Sequence, residues 1–198
     1  MPQYNLKNTN TIEENYSLGL LPQRNNPDFW YQDTSCRSNL SNFQISSENR
    51  RILNKTDDFC SKVIDLKDFI FSHQIQKEIF SWVKELGWDF PISSTKLIFT
   101  NHIFNRLYIW TNDKGQTVAY SVCYFSKNIS HIAYVFYNPQ YCHGNLPIRL
   151  VLQTIIDSHE KGLGFCYLGR FSNETGYYKR NMPGFEYFSS NNWVKYDK

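Results

Sequence analysis

A chain of 198 residues is long enough to bury a sizeable core and is typical of a single domain. Its 17% aromatic content excludes a disordered chain, and a net charge of only +3 without a Lys/Arg-rich tract predicts no DNA partner. No apolar run is long enough to span a bilayer, and the polar N-terminal segment lacks the apolar stretch of a signal peptide. We therefore expect a cytoplasmic protein that has no membrane partner.

The cysteines and histidines bear on metal binding. The five cysteines are odd in number, widely spaced and without a C-x-x-C pair, which predicts reduced thiols. The five histidines show no metal-ligand spacing. We expect no metal site and no other cofactor. The cysteines are Cys36, Cys60, Cys123, Cys142 and Cys166.

The N-terminal part is predicted to be a flexible or loosely docked tail over residues 1–18, followed by one domain over 19–198. Ser46 or Ser47 is suited to cap a helix, because a serine oxygen accepts a backbone N–H at a helix start. A second helix is predicted over 72–86, where apolar residues recur at spacings of four and three.

The middle of the chain changes to short runs rich in aromatic and β-branched residues, which predict strands. Asn112 to Gly115 is predicted to form a hairpin turn between two of them. The predicted strands cover residues 96–100, 106–111, 117–125 and 131–137.

The last third is predicted to begin with a helix that Asn145 caps and that has Pro147 in its first turn. Its apolar stripe suits a helix lying on a sheet. A short buried strand over 165–168 should follow, and then a terminal hairpin near 185–189 and Trp193.

This order of elements, antiparallel strands followed by a crossover helix and a further strand, resembles the plan of the GNAT acyltransferase fold. The resemblance implies an α+β fold in which helices flank a mostly antiparallel, mixed central sheet.

Short motifs in the C-terminal third extend this resemblance. They are Tyr167-Leu168-Gly169 at a strand end, Tyr178-Lys179 after a short loop, and Glu186 after Pro183-Gly184. With the segments 43–51 and 133–139 upstream, they resemble the superfamily of arginyl-tRNA–protein transferases and bacterial leucyl-tRNA–protein transferases. That family's C-x-x-C cluster is reduced here to Cys36, in keeping with the expected absence of a metal.

The resemblance implies an enzyme that moves an amino acid, arginine or leucine, from charged tRNA to the α-amine of a protein N-terminus, typically an acidic one. Its partners would be an aminoacyl-tRNA as donor and a protein or peptide N-terminus as acceptor. Tyr178, Lys179 and Glu186 would be catalytic, although Glu186 is equally suited to pair with an arginine. Arg50, Arg51 and Lys179 would form a basic clamp for the acidic acceptor.

The remaining candidates for substrate binding lie at strand ends and in the loop before the last helix. Tyr167 also suits a core, Gly169 also suits a special backbone shape, and His143 also suits an exposed loop. The full set comprises Arg50, Arg51, Tyr137, Tyr167, Gly169, His143 and Asn145.

The loop over residues 140–145 bears on the identity of the donor. Acetyl-CoA-dependent GNAT enzymes bind pyrophosphate with a glycine-rich loop at a helix N-terminus. This loop has one late glycine, Gly144, and Asn145 where a second small residue is needed, so we expect acetyl-CoA to bind weakly or not at all. Two alternatives stay open: an acetyl-CoA-dependent N-acetyltransferase, and a non-catalytic module that binds tRNA or protein N-termini.

Overall fold

The computed structural model describes residues 4–7, 10–172 and 176–196. The helices are α1 (Ile12–Ser17), α2 (Ser47–Lys55), α3 (His73–Glu85), α4 (Ile92–Thr100) and α5 (Leu146–Glu160). The strands are β1 (Tyr4–Lys7), β2 (Leu20–Pro22), β3 (Phe29–Gln32), β4 (Ser35–Asn39), β5 (Cys60–Asp65), β6 (Arg106–Thr111), β7 (Thr117–Phe125), β8 (Ile129–Tyr137), β9 (Phe165–Arg170), β10 (Phe185–Ser189) and β11 (Asn192–Lys195). Two short 3-10 turns matter below, Pro139–Gly144 and Tyr177–Asn181.

Eight strands form one large sheet in the order β11-β10-β4-β9-β8-β7-β6-β5. Neighbouring strands in it are antiparallel except β8 and β9, which run parallel and are joined by the crossover helix α5. Strands β1, β3 and β2 form a small antiparallel sheet. The predicted α+β fold with a mostly antiparallel, mixed sheet is confirmed.

The large sheet carries helices on both faces. On one face, Leu150 of α5 and Leu53 of α2 belong to the same apolar cluster as Trp110 of β6. On the other, Ile79 of α3 lies in a cluster that also contains side chains from α4 and β7. Alternate residues of the central strands enter opposite clusters, as the pleat of a strand requires.

Local signals account for several elements. The Ser46 side chain accepts from the backbone N–H of Asn49, and that of Ser72 accepts from Ile75, so both predicted helix starts are confirmed. β6 and β7 have the predicted bounds. The turn between them places Gly115 at a φ of +72°, a backbone shape that favours glycine.

The strand predicted over residues 96–100 is wrong, because this segment is part of helix α4. A short apolar run by itself does not distinguish a buried strand from a buried helix. Here Ile98 is fully buried beside α3, and the ring of Phe99 stacks on Phe71 at a centroid distance of 4.7 Å. Tertiary packing therefore decides the conformation.

β4 lies near the centre of the sheet and was not predicted from the sequence, because its run from Ser35 to Asn39 is mostly polar. The buried polar groups are hydrogen-bonded: the hydroxyl of Ser35 donates to the carbonyl of Gly19, and that of Ser38 to the carbonyl of Pro183. These partners are distant in sequence, which hides the strand from pattern analysis.

Part of the segment predicted to be a loosely docked tail is a capped helix that enters the core. Thr11 and Glu14 form a capping box at the start of α1. Tyr16 is 0% exposed, and its ring lies 5.0 Å from that of Trp30 and 4.8 Å from that of Tyr167. Among the described residues, no helix has the length and apolar character needed to cross a membrane.

Candidate active site between two splayed strands

The parallel strands β8 and β9 are paired over only part of their length. Their register covers Ile129↔Phe165, Ser130↔Cys166 and His131↔Tyr167 and ends there, although β8 runs on to Tyr137 and β9 to Arg170. Two residues beyond His131, the pairing of β8 with β7 shifts by one residue at Ala133. Such a bulge bends a strand, so the two strands separate and leave a gap.

Lys179, in the turn Tyr177–Asn181, fills this gap. Its Nζ donates to the carbonyl oxygens of Leu168 at 2.6 Å and Arg170 at 2.9 Å. The N–H of Phe171 donates to Thr34, next to β4. In a trans peptide the C=O points opposite to the N–H, so the Arg170 carbonyl faces β8. Lys179 thus donates to the Arg170 carbonyl on the edge of β9 that faces β8, where β8 is no longer paired with β9.

The surroundings of Lys179 include three further groups suggested by the sequence. Burial lowers the pKa of Lys179, while the nearby Cys36 acts in the opposite direction. Burial raises the pKa of Tyr178, with smaller contributions from Cys36 and Tyr137, and raises that of Tyr137 to about 12. A Cβ added to Gly169 would lie 3.9 Å from the Lys179 Nζ. The structure therefore brings Tyr178, Lys179, Tyr137 and Gly169 to one place.

His131 is a member of this site that sequence reasoning missed. Its Nδ1 lies 2.7 Å from the hydroxyl of Tyr16, and its buried Nε2 has no hydrogen-bond partner among the described residues. Burial, with smaller contributions from Lys179 and His102, lowers the pKa of His131 to about 3. A lone histidine in a strand carries no sequence signal for this role, because Tyr16 is 115 residues away.

A cleft leads from the surface to His131. A cavity of about 180 Å³ is lined by His131, Ala133, Gly169 and other residues. It shares Tyr31, Tyr134 and Arg170 with a larger cleft of about 1020 Å³ that also contains Arg24. The small cavity therefore adjoins the larger cleft at these three residues.

The N-terminus of α5 offers few amide groups to an anion. Asn145 takes a left-handed φ of 67° and makes no side-chain cap hydrogen bond, so it occupies the predicted cap position without capping. Pro147 has no N–H, and the N–H of Ile148 donates to the carbonyl of Asn145 at 3.1 Å. The groups that bind pyrophosphate at such a helix start are thus partly missing and partly in use.

The side chains of the predicted basic clamp each have other partners in this structure. Arg50 donates to the carbonyl of Ile45, and Arg51 pairs with Glu48 at 2.5 Å, one turn away on the exposed surface of α2. Lys179 is directed instead into the gap between the strands. Local partners thus hold both arginines, although Asn49 beside them donates to the carbonyl of Asn181, in the same turn as Lys179. A joint role of Arg50, Arg51 and Lys179 stays a prediction.

Two other candidates, Glu186 and His143, lie elsewhere, and a third, Tyr167, packs in the core beside His131. Glu186 accepts from Arg37 and Asn39 and is buried, so it pairs with an arginine, as the alternative interpretation allowed. Tyr167 is 2% exposed and belongs to the core around Tyr16. His143 is exposed in the turn before α5. In the described part of the chain, no group of three or more His, Cys, Asp or Glu side chains is placed to hold a metal ion.

Comparisons with known proteins concern the fold. No family model and no curated protein matches the sequence. The GCN5-related glucosamine N-acetyltransferase region of a fungal multi-domain GH3 β-N-acetylglucosaminidase is similar with a TM-score of 0.50 at 11% identity, over 78% of this chain and 19% of that chain. At this identity the likeness shows the fold alone, and that fold is the GNAT acyltransferase fold.

Two further solved structures are similar at lower scores. The first is the C-terminal domain of a putative lysylphosphatidylglycerol synthetase from Agrobacterium fabrum, with a TM-score of 0.48 at 13% identity over 70% of this chain and 46% of that chain. The second is L-PGS from Bacillus licheniformis, with a TM-score of 0.48 at 17% identity over 75% of this chain and 51% of that chain. This chain thus spans about half the length of each.

Proposed function

We propose that this chain is an acyltransferase that moves an amino acid, arginine or leucine, from charged tRNA to the α-amine of a protein N-terminus. An amino acid esterified to tRNA is already activated, so the enzyme needs mainly to hold a neutral amine against the ester carbonyl. Because the pKa of an α-amine is near 8, a modest assistance with proton removal is sufficient.

The start of α5 is the observation that carries the proposal. A GNAT enzyme that uses acetyl-CoA needs free amides there, and Pro147 and Ile148 do not supply them. The Lys179 side chain also occupies the gap between β8 and β9. Both features favour a donor other than acetyl-CoA.

The cleft suits an acceptor that carries a carboxylate. Arg170 pairs with Asp33 at 3.1 Å at its edge, and the Arg24 guanidinium lies 4.6 Å from the ring centroid of Phe90. Arginine binds carboxylates through two parallel N–H groups. We propose that Arg24 and Arg170 take the role that the sequence suggested for Arg50 and Arg51, and that the acceptor is an acidic N-terminal residue.

We expect the purified chain to transfer amino acid from at least one charged tRNA to a peptide that begins with Asp or Glu. The measurement is incorporation of label from a panel of radiolabelled aminoacyl-tRNAs, with an N-acetylated copy of each peptide as the control. Calorimetry with acetyl-CoA should show weak binding or none.

Two results would contradict the proposal and select an alternative. Low-micromolar binding of acetyl-CoA together with acetyl transfer would show an N-acetyltransferase. Binding of tRNA or peptide without transfer from any donor would show a non-catalytic module.

A further inference from the structure

The side chain of His131 lines the small cavity beside the gap and carries a buried nitrogen. The residue is 4% exposed, and its Nε2 has no partner among the described residues. A buried polar atom without a partner is costly, by about 1–3 kcal/mol, so a protein that keeps one normally uses it. The cavity is large enough to admit a small polar group of a substrate.

The contact with Tyr16 bears on which ring nitrogen carries the proton. Tyr16 is fully buried, and its hydroxyl lies 2.7 Å from Nδ1 of His131. A buried hydroxyl that donates to Nδ1 keeps its own hydrogen bond, and Nδ1 is then the unprotonated nitrogen of a neutral ring. We take this tautomer, in which the proton is on Nε2 and the ring offers that N–H as a hydrogen-bond donor.

A second donor converges on the same point. Gly169 has a φ of +77°, and a Cβ built on it would lie 3.8 Å from the His131 Nε2 and 3.9 Å from the Lys179 Nζ. An ammonium group has three N–H donors, and the carbonyls of Leu168 and Arg170 occupy two of them. The space above Gly169 is therefore bounded by two N–H groups and is suited to hold an oxygen atom.

We propose that the Nε2–H of His131, together with Lys179, holds the carbonyl oxygen of the acyl donor above Gly169 while the amine attacks. This assignment rests on the proposed acyl transfer. It concerns an acyl carbonyl, which an aminoacyl ester and a thioester share, and it makes His131 a catalytic residue that donates a hydrogen bond.

The reaction balances without proton transfer to His131. The amine nitrogen bonds to the carbonyl carbon, and the π electron pair of the C=O moves to the oxygen that the two N–H groups hold. When the C=O re-forms, the bond to the ribose oxygen breaks. The amine loses one proton and the ribose hydroxyl gains one. Donors placed where negative charge develops stabilise such a transition state.

The charges around the ring agree with a donor that stays neutral. The titratable groups that face it are Tyr16 from α1, His102 from the segment before β6, and Lys179. Burial, with smaller contributions from Lys179 and His102, lowers the pKa of His131, so the imidazole does not gain a proton near neutral pH. A neutral imidazole polarises a carbonyl without adding a buried charge.

The ring can be observed directly by NMR of protein labelled with ¹⁵N-histidine. We expect a neutral His131 with its proton on Nε2 from about pH 5 to pH 8, the range in which an ordinary histidine titrates. A hydrolysis-resistant, amide-linked aminoacyl-adenosine should shift the Nε2 resonance. A ring protonated on Nδ1, or an Nε2 signal unchanged at millimolar analogue, would overturn the assignment whether or not transfer is observed.

Kinetics of variants provide the second test, with the donor that supports transfer. His131→Phe should lower kcat by about a hundred- to a thousandfold with little change in KM, as for loss of one oxyanion donor. His131→Gln retains an N–H at a similar reach and should recover part of this loss, even if His131→Phe folds poorly. His73→Gln, at the exposed start of α3, is the control.

The variant Gly169→Ala tests whether the space above Gly169 must be open for transfer. The added methyl group would project into the space proposed for the oxygen and push the oxygen away from the two N–H groups. Transfer should therefore fall by about tenfold or more, the loss expected if one charged hydrogen bond worth about 1.5–3 kcal/mol is weakened. Gly115→Ala has a similar φ of +72° but nothing within 4 Å, so it separates backbone strain from blocking of the site.

If wild-type protein transfers amino acid while His131→Phe and Gly169→Ala are as active, His131 has no such role and the proposed function stands. If wild type transfers from no donor, the proposed function fails, and the NMR experiment still decides the role of His131.

Discussion

Replacing Glu186 by alanine is expected to lower the free energy of unfolding by about 3–5 kcal/mol, the cost of breaking a buried ion pair. One Glu186 oxygen accepts from Arg37 at 2.8 Å and the other from Asn39 at 2.8 Å. The Arg37 guanidinium also lies over the rings of Phe165, at 3.7 Å, and Trp193, at 4.2 Å. Without the carboxylate, a cation would remain buried and unpaired.

Urea unfolding at neutral pH measures this loss, and the exposed pair Arg51–Glu48 is a matched control. The side chains of Arg37 and Glu186 are 10% and 8% exposed, whereas those of Arg51 and Glu48 are 45% and 52% exposed. Glu48→Ala should therefore cost no more than about 1 kcal/mol. Equal losses in the two variants would contradict a structural role for Glu186.

Replacing Lys179 by methionine is expected to reduce transfer by about a hundredfold. A charged hydrogen bond contributes about 1.5–3 kcal/mol, and about 1.4 kcal/mol corresponds to a factor of ten. Methionine retains the length of the side chain but cannot bond the carbonyls of Leu168 and Arg170 or a substrate oxygen. Transfer by the variant at the wild-type rate would show that Lys179 only fills the gap.

The lowered pKa of Lys179 also predicts a pH dependence of stability. The unfolded chain binds more protons than the folded one just below the ordinary lysine pKa of about 10.4. The cost of burying the Lys179 ammonium group therefore decreases, and the free energy of unfolding increases, as pH rises towards that value. Lys179→Met should lose this increase. Raised tyrosine pKa values act in the opposite direction in both proteins, so the difference between them isolates Lys179.

Unfolding free energies measured in urea at about pH 7 and pH 9.5 test this dependence, since the upper value approaches the ordinary lysine pKa. Lys127→Met, in the exposed turn between β7 and β8, is the control and should follow the wild type. A pH dependence of Lys179→Met identical to that of wild type would contradict the burial of the ammonium group.

The part of the candidate site that the sequence predicted lies on three short segments. Gly169 follows a buried strand, and Tyr178-Lys179 follow it at a short distance along the chain, so the chain itself keeps them close. Tyr137 ends the neighbouring strand β8. The role of Arg50 and Arg51 stays a prediction, because a helix start predicts the backbone conformation but not the direction in which exposed side chains point.

The sequence by itself determined the elements that depend on neighbouring residues: the serine caps of α2 and α3, the hairpin with Gly115 in its turn, and the crossover helix α5. Such signals are local, since the side chain and the backbone group that it bonds are three or four residues apart.

Only the tertiary structure decided the remainder. The polar strand β4, the helical state of residues 96–100, the pair Arg37–Glu186 and the contact of Tyr16 with His131 join residues that are far apart in the sequence. In each case burial and a distant partner outweigh the local preference, because a buried polar or apolar group gains its stabilisation from whatever the fold places next to it.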